Sequence, residues 1–469
     1  MSTSWRDQFV GIEHEVPTLS GARPYINFDN AASTPPLRVV RDTVNAFVEW
    51  YASVHRGQGF KSRLSTEAYE DARAIVGDFV GADPVLDEVI FVKHTTEAVN
   101  KLARRLVLPE DSVVLVSAME HHANLLPWRA RAQVAYIELT SEGRLDLDDL
   151  ERKLRAFAPR VALVALTGAS NVTGVINPIH TAARLAHEYG TRIFVDAAQL
   201  APHRAISLGA HDDPEHLDFL AFSAHKLFAP YGSGVLIGPR AAFVNGVPDL
   251  VGGGTVEIVT RDDVVWTGGP DRDEAGSPNV VGAVALAAAC QAVQRLGMTA
   301  IEQHERALTA QLLRCLNSID NVEIYGATDP DSLDDRLGVI AFNLRGVHDG
   351  LVAAALAWEW GAGVRHGCFC AHPYVLDLLR VSPEQARSVR QAIMRGDRRA
   401  VPGAVRVSFA PYNTPAEVDH VLSGLVAIAD GQFEARYVQH TATGEFAPTG
   451  WEPDFGPYFS LTPRAGVPA

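Results

Sequence analysis

The sequence predicts an α/β protein, with a large domain on a mostly parallel seven-stranded sheet and a smaller α+β domain after it. Three observations carry this expectation. Short β-branched runs alternate with helical patterns from about residue 85 to 240, the rhythm of βαβ units. Past residue 297 that rhythm gives way to a different succession of strands and helices. Two strand candidates in the first region end on unusual side chains, Asp196 on one and Ser223, His225 and Lys226 on the next. Strand ends are where open α/β sheets gather ligand groups.

The elements follow in order. Residues 1–35 form a segment expected to pack with the small domain, and two amphipathic helices at 37–54 and 66–80 open a large domain spanning 36–297. The strand candidates are VIFV from 89, VVLVS from 113, VAYIEL from 134, VALVAL from 161, IFVD from 193, LDFLAF from 217 and GVLIG from 234. Helical patterns separate them, such as TEAVNKLARRL from 96, LDDLERKLRAF from 147 and HTAARLAHEYG from 180. Long helices are expected at 280–296 and 299–317. The small domain, 298–432, then carries strands at VEIYG from 322, GVIAFNL from 338, GVR from 363 and AVRVSF from 404, with helices around 350–360, 383–395 and 415–430. The extension 433–469 is rich in Pro, Gly and aromatic residues and has no period. It reads as an extended arm packed on the body or on a partner chain.

Bulk properties narrow the function classes. The chain has 469 residues, 47% hydrophobic and 21% charged, which is ordinary for a soluble globular protein. No run of eighteen apolar residues suggests a membrane span, and the polar N-terminus lacks the regions of a secretory signal. A net charge of -15 argues against nucleic-acid binding and predicts a soluble, cytoplasmic protein. Four Cys are no disulfide framework. Cys290 and Cys315 lie in apolar helical runs and read as core; Cys368 and Cys370 do not.

Lys226 is the most informative residue. A Lys that forms a Schiff base with pyridoxal phosphate needs a carboxylate to keep the pyridine nitrogen protonated and a donor-rich pocket for the phosphate. Asp196 and the run SAHK ending at Lys226 supply both, and a surface Lys after an ordinary strand would leave Asp196, Gln199, Ser223 and His225 without a reason. Thr95 and Thr96, between a strand and a helix, offer hydroxyls and N–H groups to a phosphate, although Thr is also a common helix cap. His121 and His122 follow the strand ending at Ser117. An imidazole there suits stacking on a cofactor ring and proton relay, while adjacent His side chains diverge and make a poor metal pair. Asn171 follows a strand end and reads equally as a ligand to cofactor or substrate and as a turn residue.

Residues 365–374, RHGCFCAHPY, leave two readings open. On an extended strand His366, Cys368, Cys370 and His372 would share one face and could hold zinc. Alternatively a nucleophilic thiol sits on a Gly-containing loop, its thiolate favoured by Arg365 and nearby His; the residues lean to the nucleophile. Arg406 stands on a strand before a capping box of Thr414 and Glu417, and suits bidentate capture of a carboxylate.

With these pieces in place, the chain resembles aminotransferase class V, the fold type I pyridoxal phosphate enzymes, and within it the Suf-type cysteine desulfurases. The resemblance runs from about residue 25 to 430, through NFDNAAS (27–33), VHRGQG (54–59), YEDAR (69–73), TTEAVN (95–100), MEHHANLLPW (119–128), SNVTGVINP (170–178), VDAAQLAPH (195–203), FSAHKLFAPYGSGVLIG (222–238), VGGGT (251–255), EAGSPN (274–279), RHGCFCAHP (365–373) and RVSFAPYNTPAEVD (406–419). It implies that Lys226 is the Schiff-base Lys, Asp196 pairs with the ring nitrogen and Gln199 bonds the phenolate oxygen. It further implies that His121 stacks on the ring and that Thr96, Ser223 and His225 hold the phosphate, with Ser277 reaching it from the other subunit of a homodimer. Asn171 and Arg406 would hold the substrate carboxylate, Cys370 would be the catalytic Cys, and Arg365 falls on the Arg that precedes it. The implied activity is desulfuration of L-cysteine to L-alanine, with a Cys370 persulfide passed to an unnamed sulfur acceptor. Three positions depart from the pattern: Cys368-Phe369 replaces His-His, Gly168 replaces His, and His94 replaces Gly. The R-x-G-C-F-C form looks like that of the aminotransferase-like part of molybdenum cofactor sulfurases. Two rival expectations stand beside this one. The first is another class V reaction (C–S lyase, epimerase or aminotransferase) in which Cys370 is not the nucleophile; the second is a non-catalytic scaffold, which intact Lys226, Asp196 and Arg406 argue against.

Overall fold

The structure is a computed structural model that describes residues 5–461. A hairpin of β1 (Glu15–Thr18) and β2 (Gly21–Pro24) leads through β3 (Ile26–Asn27) to α1 (Arg38–Val48) and α2 (Phe60–Phe79). The first helix is shorter than its apolar pattern suggests. The chain leaves the helix at Glu49, passes His55 at φ 68, and reaches an extended Gly59 before α2 begins.

The expected alternation follows as β4 (Asp87–Val92), α3 (Thr95–Arg105), β5 (Val113–Ser117), α4 (Leu126–Arg129), β6 (Gln133–Ile137), α5 (Leu147–Phe157), β7 (Val161–Thr167), α6 (Ile179–Glu188), β8 (Arg192–Asp196), β9 (Phe219–Ser223) and β10 (Gly234–Pro239). The strands form one seven-stranded sheet in the order β4-β10-β9-β8-β7-β5-β6. Only β10 runs against its neighbours. Both faces are covered, which is why the strands read as nearly continuous apolar runs. Leu115, Val164 and Ile193 face a layer that includes α1, α2, α5, α6 and α7 (Val280–Leu296). Their chain neighbours Val114, Leu163 and Phe194 face α3 and α4, with Trp128 fully buried among them. Opposite faces for adjacent residues is the two-residue period of a strand.

Between sheet and α7 lies an exposed hairpin, β11 (Val256–Val259) and β12 (Val264–Trp266), which the sequence pattern did not reveal. α8 (Met298–Leu316) then leads into a second unit: β13 (Val322–Tyr325), β14 (Val339–Leu344), α9 (Asp349–Trp360), β15 (Ala362–Gly363), β16 (Arg365–Gly367), α10 (His372–Leu378), α11 (Pro383–Met394), β17 (Ala404–Ser408) and α12 (Pro415–Ala429). Its antiparallel sheet runs β13-β14-β17-β16. Val405 and Val407 enter a core with Leu312, Leu356 and Val421, and the alternation sends Arg406 to the other face. Thr414 and Glu417 form the capping box that starts α12.

The N-terminal segment divides between the two cores: Phe9 and Ile12 pack with the large one, Ile26 and Phe28 with the small one. The tail folds back as a hairpin of β18 (Tyr437–Gln439) and β19 (Phe446–Pro448). Tyr437 donates to Glu359 of α9 at 2.9 Å, and Trp451 packs on Trp358 with ring centres 5.1 Å apart. Its strands were too short to show a period. At the seam between the units, Gly174 has φ +77 and a Cβ there would meet Val339 O at 2.7 Å, so only Gly lets the chains approach this closely. Among the described residues, no single helix is long and apolar enough to cross a membrane.

Candidate active site

Parallel register aligns the ends of β7, β8 and β9, with Thr167 beside Asp196 and Asp196 beside Ala221. Their last side chains therefore open on one side of the sheet, the side where α3 begins. A cavity of about 330 Å³ lies there. Of the residues expected to hold cofactor or substrate or to act in catalysis, all but one line it: Thr95, Thr96, His121, Asn171, Asp196, Gln199, Ser223, His225, Lys226, Arg365, Cys370 and Arg406. The exception is Ser277, which lines a second cavity with His55 and Arg56.

The floor is built by tight packing of α3 against the sheet. A Cβ on Gly234 would meet Phe222 O at 2.8 Å and His94 Cα at 2.9 Å, so Gly at this point keeps the helix start close to β9. Ser223 Oγ accepts from Thr95 N at 2.9 Å and lies 2.8 Å from Thr95 Oγ1. His94 caps α3 by accepting from Glu97 N at 3.2 Å. The helix start, with its hydroxyls and partial positive charge, suits an anion.

Burial sets the charges. Asp196 is buried, which raises its carboxyl above the usual range, opposed by a hydrogen bond from Ala198 N at 3.0 Å and by Lys226. Burial also brings the Lys226 ammonium down to about 8, with Asp196 opposing. His121 falls to about 3, chiefly through burial and then through Lys226, so its ring is neutral at pH 7. Its Nδ1 accepts from Ala123 N at 3.0 Å, leaving the ring proton on Nε2. Burial likewise lowers His225, to about 4. Gln199 donates to Ala31 O at 2.7 Å, which fixes its amide at the edge of the cavity.

The opposite wall comes from the small unit. Arg365 and Arg406 are direct cross-strand partners on β16 and β17. Like charges in that position repel, and Asp29 separates them: its Oδ2 takes Arg365 Nη2 at 2.7 Å and its Oδ1 takes Arg406 Nη2 at 3.0 Å. Arg406 also donates to Asn171 O at 2.9 Å, and its buried Nε has no hydrogen-bond partner.

The extended arrangement that would place His366, Cys368, Cys370 and His372 on one face does not form. β16 stops at Gly367, and Phe369 and Cys370 both have positive φ, 53 and 55. His366 turns to Asp349 at 3.2 Å, while His372 stacks on His122 with ring centres 5.0 Å apart. No group of three or more His, Cys, Asp or Glu among the described residues could hold a metal ion. Instead the four residues Cys368 to Ala371 make a tight turn, closed by Ala371 N to Cys368 O at 2.8 Å. Cys370 is exposed on its tip, and Cys368 is half-buried.

Three residues that hold this site escaped the sequence reading. Asp29 was visible only as part of NFDNAAS. Phe369 lies buried under the Arg406 guanidinium at 4.9 Å. Glu120, fully buried and pushed up to about 8 by burial, accepts from Thr167 N at 2.8 Å and from Asn124 at 2.7 Å, so it ties the end of β7 to the His121 turn. A buried acid next to two His carries no sequence signal of its own.

The donor set fits pyridoxal phosphate. A buried carboxylate, an amine held partly neutral, small walls at Ala31 and Ala32, and a helix start with hydroxyls converge on one cavity.

Known proteins with this pattern are numerous. The aminotransferase class-V profile matches residues 26–421. A probable cysteine desulfurase of Halobacterium salinarum is 36% identical over 443 residues, covering 92% of this chain and 96% of that protein. A cysteine desulfurase of Dickeya dadantii is 35% identical, covering 86% of this chain and 92% of its own. Among solved structures, the apo cysteine desulfurase from Thermococcus onnurineus NA1 has a TM-score of 0.76 at 33% identity, covering 87% of this chain and 95% of that one. The cysteine desulfurase CsdA of Escherichia coli, in its S-sulfonic acid form, has a TM-score of 0.74 at 29% identity, covering 92% and 98%.

Proposed function

This chain belongs to the aminotransferase class V family, and from that premise we propose that it is a pyridoxal-phosphate-dependent cysteine desulfurase. It converts L-cysteine to L-alanine and leaves the sulfur as a persulfide on Cys370. One observation carries the reading: an exposed thiol, Cys370, stands on the rim of the same cavity as Lys226, Asp196 and Arg406.

Pyridoxal phosphate, when bound, supplies an electron sink for the charge left at the substrate Cα. Lys226 would hold its aldehyde carbon, Asp196 its ring nitrogen, Gln199 its phenolate oxygen and His121 its ring face. Thr95, Thr96, Ser223 and His225 would hold its phosphate. Arg406 and Asn171 take the substrate carboxylate; the unpartnered Arg406 Nε supports this role. The neutral amine of Lys226 removes the Cα proton, and its depressed basicity keeps that form available near neutral pH. The Cys370 thiolate attacks the sulfur of L-cysteine, forming an S–S bond as the Cβ–S bond breaks. Neutral His121 presents its Nε2 proton to the same cavity as a donor.

In the same reading, residues 36–297 form the cofactor-binding domain and 298–432 the small one, with 1–35 and 433–469 as flanking segments. The enzyme works as a homodimer. Exposed Tyr51 lines the cavity of Ser277, its neighbour Trp50 packs on exposed Phe60, and Ile258 and Val259 are exposed on β11; a second copy covering these side chains would bring Ser277 to its partner's phosphate. Free thiols and a net charge of -15 suit a reducing, cytoplasmic setting without nucleic acid or membrane.

Incubation with L-cysteine tests the proposal, with alanine and sulfide measured and intact mass followed for one added sulfur on Cys370. Pyruvate or D-cysteine in place of alanine and a persulfide would move the assignment to a class V lyase or epimerase.

A further inference from the structure

The desulfurase reading uses one thiol of the turn and leaves Cys368 without a task. The geometry of the turn supplies one. Phe369, between the two cysteines, has φ 53, and Cys370 has φ 55. An intervening residue in the left-handed helical region brings the Cα atoms on either side to about 5–6 Å, within the span of a disulfide, whereas an extended one would hold them near 7 Å. Left-handed backbone is costly for Phe and for Cys, and the protein maintains it with several tethers. Asn171 Nδ2 donates to Phe369 O at 2.7 Å, His122 N donates to Cys370 O at 2.8 Å, and the Phe369 ring is buried. The conformation that these contacts enforce is the one that keeps the Cα atoms of Cys368 and Cys370 within that span.

We propose that Cys368 is a resolving thiol that discharges the Cys370 persulfide when no sulfur acceptor is present, releasing sulfide and closing a Cys368–Cys370 disulfide across the turn. This rests on the desulfurase reading for the source of the persulfide. The Cys368 thiolate attacks the inner sulfur of the persulfide. A bond forms between the two cysteine sulfurs, the bond to the terminal sulfur breaks, and that sulfur leaves with the electron pair as hydrosulfide. The terminal sulfur is reduced and the two thiols are oxidised, so no outside oxidant is needed; a dithiol reductant restores the pair. Burial above all, and then the charge of Cys370, push the Cys368 thiol up, opposed by the N–H groups of Cys370 and Ala371.

Two arms test this on the full-length holoenzyme. In the first, enzyme loaded with L-cysteine is desalted without reductant and followed by intact mass and peptide mapping. Wild type should pass from one added sulfur to a species lighter by two hydrogens, with sulfide released in step. Cys368→Ser and Cys368→Ala should hold the added sulfur at least ~10-fold longer. In the second, wild type is equilibrated in glutathione redox buffers, where peptide mapping should find the Cys368–Cys370 disulfide whatever the enzyme's activity. A persulfide on Cys370 that decays equally in wild type and both variants, with no such disulfide in either arm, overturns the proposal. A disulfide in glutathione with no sulfur taken from L-cysteine would instead overturn the desulfurase reading and leave the thiol pair standing.

Discussion

Asn171 donates its amide to the carbonyl of Phe369 at 2.7 Å, joining the loop after β7 to the turn that carries Cys370. With the bond from His122 N to Cys370 O, it ties the large unit to the thiol turn across the seam between the two units. Asn171→Ala would leave that buried carbonyl unpaired, at a cost of about 1–3 kcal/mol, mostly local to the turn. We expect faster hydrogen exchange at residues 368–371 and a fall in kcat for sulfur transfer, with the Lys226-bound cofactor spectrum retained. A variant with unchanged exchange and unchanged kcat would refute this coupling.

The purified protein should be yellow, because Lys226 stands among all the groups that a Schiff base to pyridoxal phosphate requires. Borohydride reduction and peptide mapping should place the pyridoxyl group on Lys226. A colourless protein that takes up no added pyridoxal phosphate would end the cofactor assignment.

Reaction of apoenzyme with pyridoxal phosphate should accelerate with pH. The nucleophile is the neutral amine, and burial brings Lys226 down to about 8. The rate should therefore rise roughly tenfold between pH 7 and 9 and then level off. A rate still climbing steeply at pH 10 would mean that Lys226 keeps an ordinary ammonium.

Glu120 should make stability fall with pH. Its carboxyl is held up to about 8 by burial, while in the unfolded chain it ionises near the ordinary 4.5. Between those values the folded state binds more protons, so stability declines as pH rises through the interval, by on the order of 1 kcal/mol per pH unit. Glu120→Gln lacks the titration. Urea midpoints at pH 5.5 and 8 should diverge in favour of the variant at the higher pH; parallel midpoints would contradict the burial argument.

Cys370→Ser should abolish the persulfide and alanine formation while leaving the cofactor spectrum intact. Sulfur released at the wild-type rate by this variant would replace the desulfurase with the lyase.

The sequence by itself determined the alternating sheet, the class of cofactor and most of the polar residues that line the cavity. These are legible because each is local: a two-residue or 3.6-residue period, a residue at a strand end, a cap before a helix. Lys226, Asp196 and Ser223 needed only the inference that neighbouring parallel strands end together. The tertiary structure alone decided what those side chains touch. Asn171 lines the cavity and also donates one amide N–H to Phe369, and Arg365 and Arg406 share Asp29, some 330 residues and more away in the chain. The His-Cys-Cys-His alternation suggested a common face, yet the turn breaks it. Left-handed φ at Phe369 and Cys370 is maintained by contacts from Asn171 and His122, about 200 residues or more upstream. No local propensity of Phe or Cys favours that conformation, so it could be found only once the distant partners were in place.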